Sequence, residues 1–308
     1  MKPDHSGTYQ EDTDMKKVGI VTDSGSGMTL RQANELGIGM VSIPFMFEGD
    51  AATYYDDINM THEEFFRRLK AGEMVHTSQP IPVDVLRVWD TFLKDYDEIV
   101  YIPMSSGLSG SCQSAAMLSM DYDGKVEVVD NQRISITQYR TVLDALEMAH
   151  KGWTAKEIKE ELLATKADQS IYIMVDTLVY LKKGGRITPA AAALGTMLKL
   201  KPVLKIFGER LDSFAKARNV ASARRIMIDA IRNDMANLYG GEDKVWLYAI
   251  QSDTPSFPEW SQQVRDSFPN ARYDCDAVLP NVINCHIGEG ALAIACSKIL
   301  DIGDRTGR

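Results

Sequence analysis

Short apolar runs alternate with segments of helical periodicity through the first half of the chain, and this alternation constrains the fold more than any other feature. Strands are predicted at 17–23, 40–47, 98–102 and 125–129, and helices at 30–36, 61–71, 83–93, 112–118, 135–151 and 154–166. Strand centres without polar residues are typical of a parallel sheet covered by helices on both faces. The first half is therefore predicted to form a parallel-sheet α/β domain.

The pattern changes after Asp168. The remaining predicted elements are strands at 170–175, 245–251 and 273–279, helices at 178–181, 190–200, 220–238 and 257–267, a hairpin of 201–207 with 210–216, and a final helix at 289–300. An antiparallel hairpin within an α/β pattern indicates a mixed sheet. The prediction is a flexible arm at 1–16, an N-terminal α/β domain at 17–169 and a C-terminal mixed-sheet α/β domain at 170–303.

Composition excludes several classes of protein. The net charge of −9, without a basic stripe, argues against nucleic-acid binding. The sequence contains no run of about 18 apolar residues, which a membrane-spanning helix requires. The 4 cysteines lack C-x-x-C spacing and are predicted to be reduced, mostly buried thiols of a cytoplasmic protein, with no metal site. No P-loop or dinucleotide fingerprint is present, so no cofactor is expected.

Hydroxyl groups are concentrated in two short segments. Ser105-Ser106-Gly107-Leu108-Ser109-Gly110-Ser111 follows a predicted strand and precedes a helix, where hydroxyls and free backbone N–H groups can gather around an anion. Thr77-Ser78-Gln79-Pro80 lies upstream. Asp23 and Ser24 follow the first strand, at the sheet edge where α/β proteins commonly bind ligands. Taken alone, Asp23 and Ser24 are equally well explained as a helix cap in a tight turn, the Thr-Ser-Gln-Pro segment is more often a turn, and the serine segment is ambiguous.

A late histidine adds an imidazole to this inventory. His286-Ile287-Gly288-Glu289-Gly290 is predicted to form a glycine-rich turn before the final helix. Beside a bound anion the charged form of the imidazole is favoured and donates a hydrogen bond. An alternative class is a stand-alone hydrolase or acyltransferase that uses Ser105 or Ser106 with His286 as base, although the sequence places no acidic residue to orient that base.

Taken together and in order, the motifs resemble those of the DegV family. They are Thr22-Asp23-Ser24, Thr77-Ser78-Gln79-Pro80, Ser105-Ser106-Gly107-Leu108-Ser109-Gly110, Gly184-Gly185-Arg186-Ile187, Leu198-Lys199-Leu200-Lys201-Pro202-Val203-Leu204 and the late His-x-Gly-x-Gly. DegV proteins are fatty-acid-binding proteins that include the acyl-carrying subunit of bacterial fatty acid kinase. The resemblance extends from about Lys17 to Ile302 and implies two α/β domains with one long-chain fatty acid buried between them.

The resemblance also implies where the fatty acid is held. Its carboxylate would receive hydrogen bonds from Thr77, Ser105, Ser106 and His286, because a buried carboxylate is costly without several donors. The supporting residues would be Asp23, Ser24, Ser78, Gly107 and Gly288. An acyl chain of about 16 carbons gains roughly 10 kcal/mol before ordering costs, at about 0.8 kcal/mol per buried CH₂.

Partner and role follow from the same resemblance. A separate ATP-dependent subunit would phosphorylate the bound carboxylate, so this chain is expected to be a non-catalytic carrier without stable membrane insertion. Arg186, presented by a Gly-Gly turn, is the candidate contact with that kinase subunit. A lipid carrier or sensor without a kinase partner would use the same pocket and stays open as an alternative.

Three positions depart from the family pattern. His76 precedes Thr77 and is predicted to place another imidazole near the head group, and Cys112 stands where an aromatic residue is usual. Glu289 adds a negative charge near the predicted carboxylate site and is expected to point into solvent or to lie in the first turn of a helix. Candidate tunnel walls are 190–198 and 292–295.

Overall fold

Two α/β lobes make up the chain in the computed structural model, which describes residues 16–193, 200–206 and 210–306. The arm predicted at 1–16 therefore lies outside the described residues, apart from Lys16. The first lobe contains a four-stranded sheet in the order β2-β1-β5-β6, and all its pairings are parallel, as predicted. Its strands are β1 (Val18–Asp23), β2 (Gly39–Val41), β5 (Glu98–Ile102) and β6 (Val126–Val128).

Helices cover both faces of this sheet, and threonine caps explain where several of them begin. The helices are α1 (Leu30–Leu36), α2 (His62–Lys70), α3 (Pro82–Phe92), α4 (Ser111–Leu118), α5 (Ser135–His150) and α6 (Ala155–Ala164). Thr29 and Thr154 form reciprocal capping boxes, and Thr61 accepts a hydrogen bond from the N–H of Glu64. The predicted helices of this lobe are confirmed to within two residues at either end.

The strand predicted at 40–47 is wrong as a single element. The chain forms β2 and then β3 (Phe45–Phe47), which pairs antiparallel with β4 (Val75–Thr77) in a separate two-stranded sheet. Pro44 separates the two strands and has no N–H to contribute to a ladder, while the N–H of Ile43 donates to the Ser24 hydroxyl instead. The break brings Thr77, at the end of β4, to the edge of the second lobe.

The second lobe is built on a six-stranded mixed sheet, as predicted. Its order is β11-β10-β12-β7-β8-β9, with β10 parallel to β11 and the other pairings antiparallel. The strands are β7 (Gln169–Met174), β8 (Lys201–Ile206), β9 (Leu211–Ala217), β10 (Val245–Ser252), β11 (Arg272–Val278) and β12 (Ala291–Lys298). The helices are α7 (Val179–Gly184), α8 (Pro189–Ala193), α9 (Val220–Asn237), α10 (Phe257–Ser267) and α11 (Asn281–Ile287).

The final helix predicted at 289–300 is wrong, because this segment is the inner strand β12. All but the last residue of β12 are buried, so the segment lacks the alternation of a half-exposed strand, and its alanines favour helix intrinsically. Pairing with β10 and β7 on its two sides overrides that propensity. The predicted hairpin is confirmed as β8 and β9, although its turn and residues 194–199 of the predicted helix at 190–200 lie outside the described residues.

The two lobes are joined by contacts that involve buried polar groups. The Asp56 carboxylate of the first lobe accepts from the N–H groups of Asn281 and Val282, at 2.9 and 3.1 Å, at the start of α11. After β12 the chain returns to the first lobe, where Ile302 packs in its core and the Trp153 indole N–H donates to the Gly303 carbonyl at 2.8 Å. These contacts fix α11 against the end of β4.

Candidate functional site

A cavity of about 250 Å³ lies between the two lobes. A single water needs only about 10–15 Å³, so this space can admit an organic ligand. Its lining is mostly aliphatic: Ile43, Met104, Leu108 and Ile134 come from the first lobe, and Ile171, Ile173, Leu181, Ile206, Leu211, Ile250, Leu279, Val282, Ile283, Ile287 and Ala293 from the second. Such a wall favours an extended hydrocarbon over a polar ligand.

Alternation along β12 explains why there is room for the cavity. Ala291, Ala293 and Ala295 face the same side of the sheet as the cavity-lining cluster, whereas Leu292 and Ile294 pack on the opposite side under α9 and α10. Strand periodicity therefore gives the cavity side a row of methyl groups and the other side the large residues. Of the tunnel wall predicted at 292–295, Ala293 lines the cavity, and Ala191 of the other predicted wall packs in the surrounding cluster.

One end of the cavity is polar and is formed where β4 meets α11. The hydroxyl of Thr77 and Nε2 of His286 are 3.0 Å apart across the two lobes. His286 lies in the last turn of α11, not in a turn before a helix as predicted. Ser78 also lines this end, and its N–H donates to the Pro44 carbonyl at 3.1 Å. We call this end the mouth.

His286 is held as a neutral imidazole in the unliganded site. Burial, together with the nearby Arg186 guanidinium, lowers the pKa of His286 to about 4. Its Nδ1 is buried with no hydrogen-bond partner among the described residues. A Cβ at Gly184 would lie 2.3 Å from Nδ1, so only glycine lets α7 approach the ring this closely. The charged form predicted for His286 beside a bound anion stays a prediction.

Arg186 lines the mouth itself. Its Nε donates to the Leu108 carbonyl at 3.1 Å, and its Nη1 donates to the Gly184 carbonyl. The side chain thus ties the serine loop (103–110) to the end of α7. The contact with a kinase subunit that the sequence predicted for Arg186 stays a prediction, and the guanidinium is also placed to attract an anion in the cavity.

Three further polar residues at the mouth were outside the predicted site. Gln79, Ser109 and Gly110 line the cavity. The Ser114 hydroxyl donates to Oε1 of Gln79 at 2.7 Å, and a Cβ at Gly110 would lie 2.4 Å from Nε2 of the same amide. The Thr-Ser-Gln-Pro and Ser-Gly motifs contain these residues, but spacing alone does not show which members of a loop face inward.

Ser105 and Ser106, predicted to hold a carboxylate, do not line the cavity. Ser105 is fully buried, and its N–H donates to the Arg133 carbonyl at 2.9 Å while its hydroxyl accepts from the Gly107 N–H at 3.3 Å. The N–H of Ser106 donates to Asp130 at 3.1 Å. The head-group role of the two serines therefore stays a prediction, and the contacts described here connect their N–H groups to residues 130 and 133 outside the loop.

Asp23 lies beneath the serine loop, not on the cavity wall. Its carboxylate accepts from the N–H of Met104 at 2.9 Å, the N–H of Gly25 at 3.0 Å and Nε2 of Gln138 at 3.0 Å. Burial raises the pKa of Asp23 to about 6 despite these three donors. Asp23 therefore shapes the loop that surrounds the cavity, and the Ser24 hydroxyl anchors Ile43 of the wall.

The remaining predicted residues lie around the site in different environments. Gly288 has a φ of 77°, and a Cβ there would lie 2.6 Å from the Tyr180 ring. His76 is exposed and lines a separate cleft of about 140 Å³ that also touches Thr77, Arg186 and His286. Cys112 packs in the first lobe's core, away from the cavity wall.

Glu289 departs from its predicted exposure. Glu289 is half-buried, lies outside any helix, and has one carboxylate oxygen that is buried without a hydrogen-bond partner among the described residues.

The geometry does not assemble a serine–histidine pair. His286 contacts Thr77 through Nε2, and no carboxylate orients Nδ1 within the described part of the chain. Across residues 16–193, 200–206 and 210–306 there is also no group of three or more His, Cys, Asp or Glu side chains that could hold a metal. No helix in these ranges combines the length and hydrophobicity needed to cross a membrane.

Fold and site together define a two-lobed α/β protein with a mostly apolar cavity between the lobes and a polar mouth. Residues 17–298 match the model of the DegV family, whose description is that of an uncharacterised protein family, and the chain belongs to this family. A DegV domain-containing protein of Staphylococcus aureus is 28% identical over 285 residues, which are 92% of this chain and 100% of that protein.

Solved structures of DegV proteins share the fold. A fatty-acid-binding DegV family protein from Thermus thermophilus superposes with a TM-score of 0.84 at 30% identity, covering 92% of this chain and 100% of that one. DegV of Bacillus subtilis, a fatty acid binding protein, superposes with a TM-score of 0.81 at 26% identity over the same shares of the two chains.

Proposed function

We propose that this protein binds one long-chain fatty acid in the cavity between its lobes, with the carboxylate at the mouth. The observation that carries the proposal is the division of one cavity into an aliphatic wall and a polar end. Fatty acid binding by the related proteins of Thermus thermophilus and Bacillus subtilis supports this assignment. Burial of the acyl chain supplies the affinity, at about 0.8 kcal/mol per CH₂ before ordering costs.

The mouth contains enough donors for a carboxylate. Thr77 can donate its hydroxyl to the ligand while the Nε2–H of His286 donates to the Thr77 oxygen or to the ligand, and Arg186 adds a positive charge. The side-chain amide of Gln79 is a further donor. A bound carboxylate favours the protonated imidazole, so binding raises the pKa of His286 from its unliganded value of about 4.

The first test is the lipid content of the protein as purified from cells. Native mass spectrometry is expected to show a mass increment of one ligand per chain, and denaturing extraction is expected to release a free fatty acid whose length the same spectrum gives. A clean mass without the increment, and no uptake of added long-chain fatty acids, would overturn the proposal.

A cavity-filling variant tests the location of the ligand. Ala293→Leu adds three carbon atoms on the cavity side of β12 and is expected to lower fatty acid uptake about tenfold or more, because the leucine occupies space that the acyl chain needs. Ala116→Leu, at an exposed position of α4, is the matched control. Equal lipid content in both variants would place the ligand elsewhere.

The finer role is presentation of the carboxylate to a separate fatty acid kinase subunit, and this is also part of the proposal. It is tested by incubating the loaded protein with a bacterial fatty acid kinase subunit and ATP, and trapping acyl phosphate as the hydroxamate. Absence of hydroxamate at full lipid occupancy would leave a lipid carrier or sensor without a kinase partner.

Arg186→Gln separates two roles within this scheme. Because the guanidinium lines the mouth, the variant is expected to bind fatty acid about tenfold more weakly. Unchanged binding with reduced acyl phosphate formation would instead favour the partner contact predicted from the sequence.

A further inference from the structure

Ser135 stands apart from the polar groups of the mouth. It is the first residue of α5, lies between Ile134 and Ile136, and belongs to neither the end of β4 nor α11. The residue is 94% buried, since its exposed fraction is 6%, and its hydroxyl makes no hydrogen bond to the residues that the structure describes. Ser135 lines the cavity at a point where the neighbouring wall is aliphatic.

A second space meets the cavity at this residue. A cleft of about 230 Å³ lies on the other side of α5's first turn and is lined by polar groups that include Ser42, Asp57 and His62. Ser135 is the one residue, of those that the structure describes, that lines both spaces. A polar atom on a ligand that reaches Ser135 would therefore sit against a hydroxyl and next to a polar cleft.

Fold alone does not explain a serine here. The backbone of Ser135 is left-handed, with a φ of 54°, a conformation that glycine adopts most readily. The residue before it, Ile134, makes no side-chain cap to α5. The serine hydroxyl thus serves neither the helix nor a described neighbour, in a residue that lines the cavity, so its hydrogen-bonding capacity is available to a ligand there.

We propose that Ser135 recognises fatty acids that carry a hydroxyl group on the acyl chain. This inference rests on the proposed function, since it places an acyl chain in the cavity. A chain hydroxyl at the matching depth exchanges a hydrogen bond with Ser135, whereas a hydroxyl at another depth is buried against aliphatic groups and loses its hydrogen bonds to water. The cavity therefore selects fatty acids by the position of the hydroxyl along the acyl chain.

The test uses hydroxystearic acids in which the hydroxyl is moved step by step along the chain, with stearic acid as the reference. Affinities for the delipidated protein are measured by displacement of a fluorescent fatty acid. One position is expected to bind about tenfold more tightly than the other isomers. In Ser135→Ala that ratio is expected to fall to about one, whereas Ser119→Ala, at a serine outside the cavity wall, keeps it.

The comparison of hydroxystearic acid isomers in the unmodified protein decides the question even if Ser135→Ala does not fold. Isomers that bind equally, or an optimum that persists in Ser135→Ala, would overturn the role of Ser135 while leaving the proposed function in place. Failure of stearic acid and of every isomer to bind would overturn the proposed function and this inference with it.

Discussion

The two hydroxyl-rich segments of this protein have similar composition and opposite roles. Thr77, Ser78 and Gln79 line the cavity. The first half of the serine loop, by contrast, uses its polar groups internally: Ser105 bonds to Arg133 and Gly107, and Asp23 beneath it accepts three hydrogen bonds. Hydrogen-bonding capacity that the fold has already used is not available to a ligand.

Because of this difference, substitutions in the two segments should affect different quantities: folding stability in one and ligand affinity in the other. Removing a polar group from the interior of the serine loop leaves buried donors without acceptors, which costs folding free energy. Removing a group that faces the cavity changes ligand contacts and has a smaller effect on the unliganded fold. The predictions below test that separation in order of expected effect.

Asp23→Ala is expected to have the largest effect on stability. Three buried donors, the N–H groups of Gly25 and Met104 and the Gln138 amide, lose their acceptor together. At about 1–3 kcal/mol for each unsatisfied group, the free energy of unfolding should fall by roughly 3 kcal/mol or more. Urea unfolding measures the change, with Asp121→Ala at an exposed aspartate as control. Equal midpoints for the two variants would show that the network under the loop is not structural.

Gly184→Ala is expected to disturb the mouth. The added Cβ lies 2.3 Å from Nδ1 of His286, so the ring must move away from Thr77 or α7 must shift, at a cost of about 1–3 kcal/mol. Fatty acid affinity and unfolding midpoint are measured together. Gly303→Ala, where a Cβ meets nothing within 4 Å, is the control. Unaltered affinity in Gly184→Ala would exclude His286 from the head-group site.

Sequence periodicity was sufficient for most of the fold. The parallel first sheet and the β8–β9 hairpin follow from apolar runs, caps and turn residues, since these signals are local. Strand β12 was misread as a helix because it is buried on both faces, and burial on both faces removes the alternation that distinguishes a strand. Only its pairing with β10 and β7, residues distant in the chain, decides the outcome.

The site was predictable at the level of segments, not of side chains. The motifs brought Thr77, Arg186 and His286 into consideration, and the structure places all three at the mouth. Which half of the serine loop faces the cavity depends on how the backbone turns after β5, and the sequence contains no signal for that. Ser135 belongs to no motif, because its interest comes from its position between two spaces that only the fold brings together.

Thr77→Val and Ser105→Ala form the most direct comparison of the two segments. Thr77→Val keeps the side-chain shape and removes a hydroxyl at the mouth, so fatty acid affinity should fall about tenfold, or about 1.4 kcal/mol. Loss of the bond to Nε2 of His286 should lower the free energy of unfolding by about 1 kcal/mol. Ser105→Ala removes the acceptor for the Gly107 N–H and should lower stability by about 1 kcal/mol, with a smaller effect on affinity. The reverse pattern would restore Ser105 to the head-group site predicted from the sequence.

His286 should make the unliganded protein less stable in mild acid, by a modest amount. The folded-state pKa is lowered to about 4 from an ordinary value near 6.5, so between these values the unfolded chain binds more protons and stability is lost as pH falls. From about pH 7 to about pH 5.5 the loss is about 1 kcal/mol. Asp23 and Asp56, whose folded-state pKa values are raised to about 6, oppose it, because protonation favours their buried forms over the same interval.

The contribution of His286 is therefore isolated as a difference between variants. Unfolding free energies of the delipidated protein and of His286→Gln are measured at both pH values, so that the opposing effects of Asp23 and Asp56 cancel. The advantage of the unmodified protein over the variant should shrink by about 1 kcal/mol at the lower pH. His150→Gln, at an exposed histidine, controls for loss of an imidazole as such. If the difference in unfolding free energy between the unmodified protein and His286→Gln does not change with pH, the His286 ring is solvated. The mouth would then lack a buried neutral base, which is the feature that distinguishes it from the interior of the serine loop.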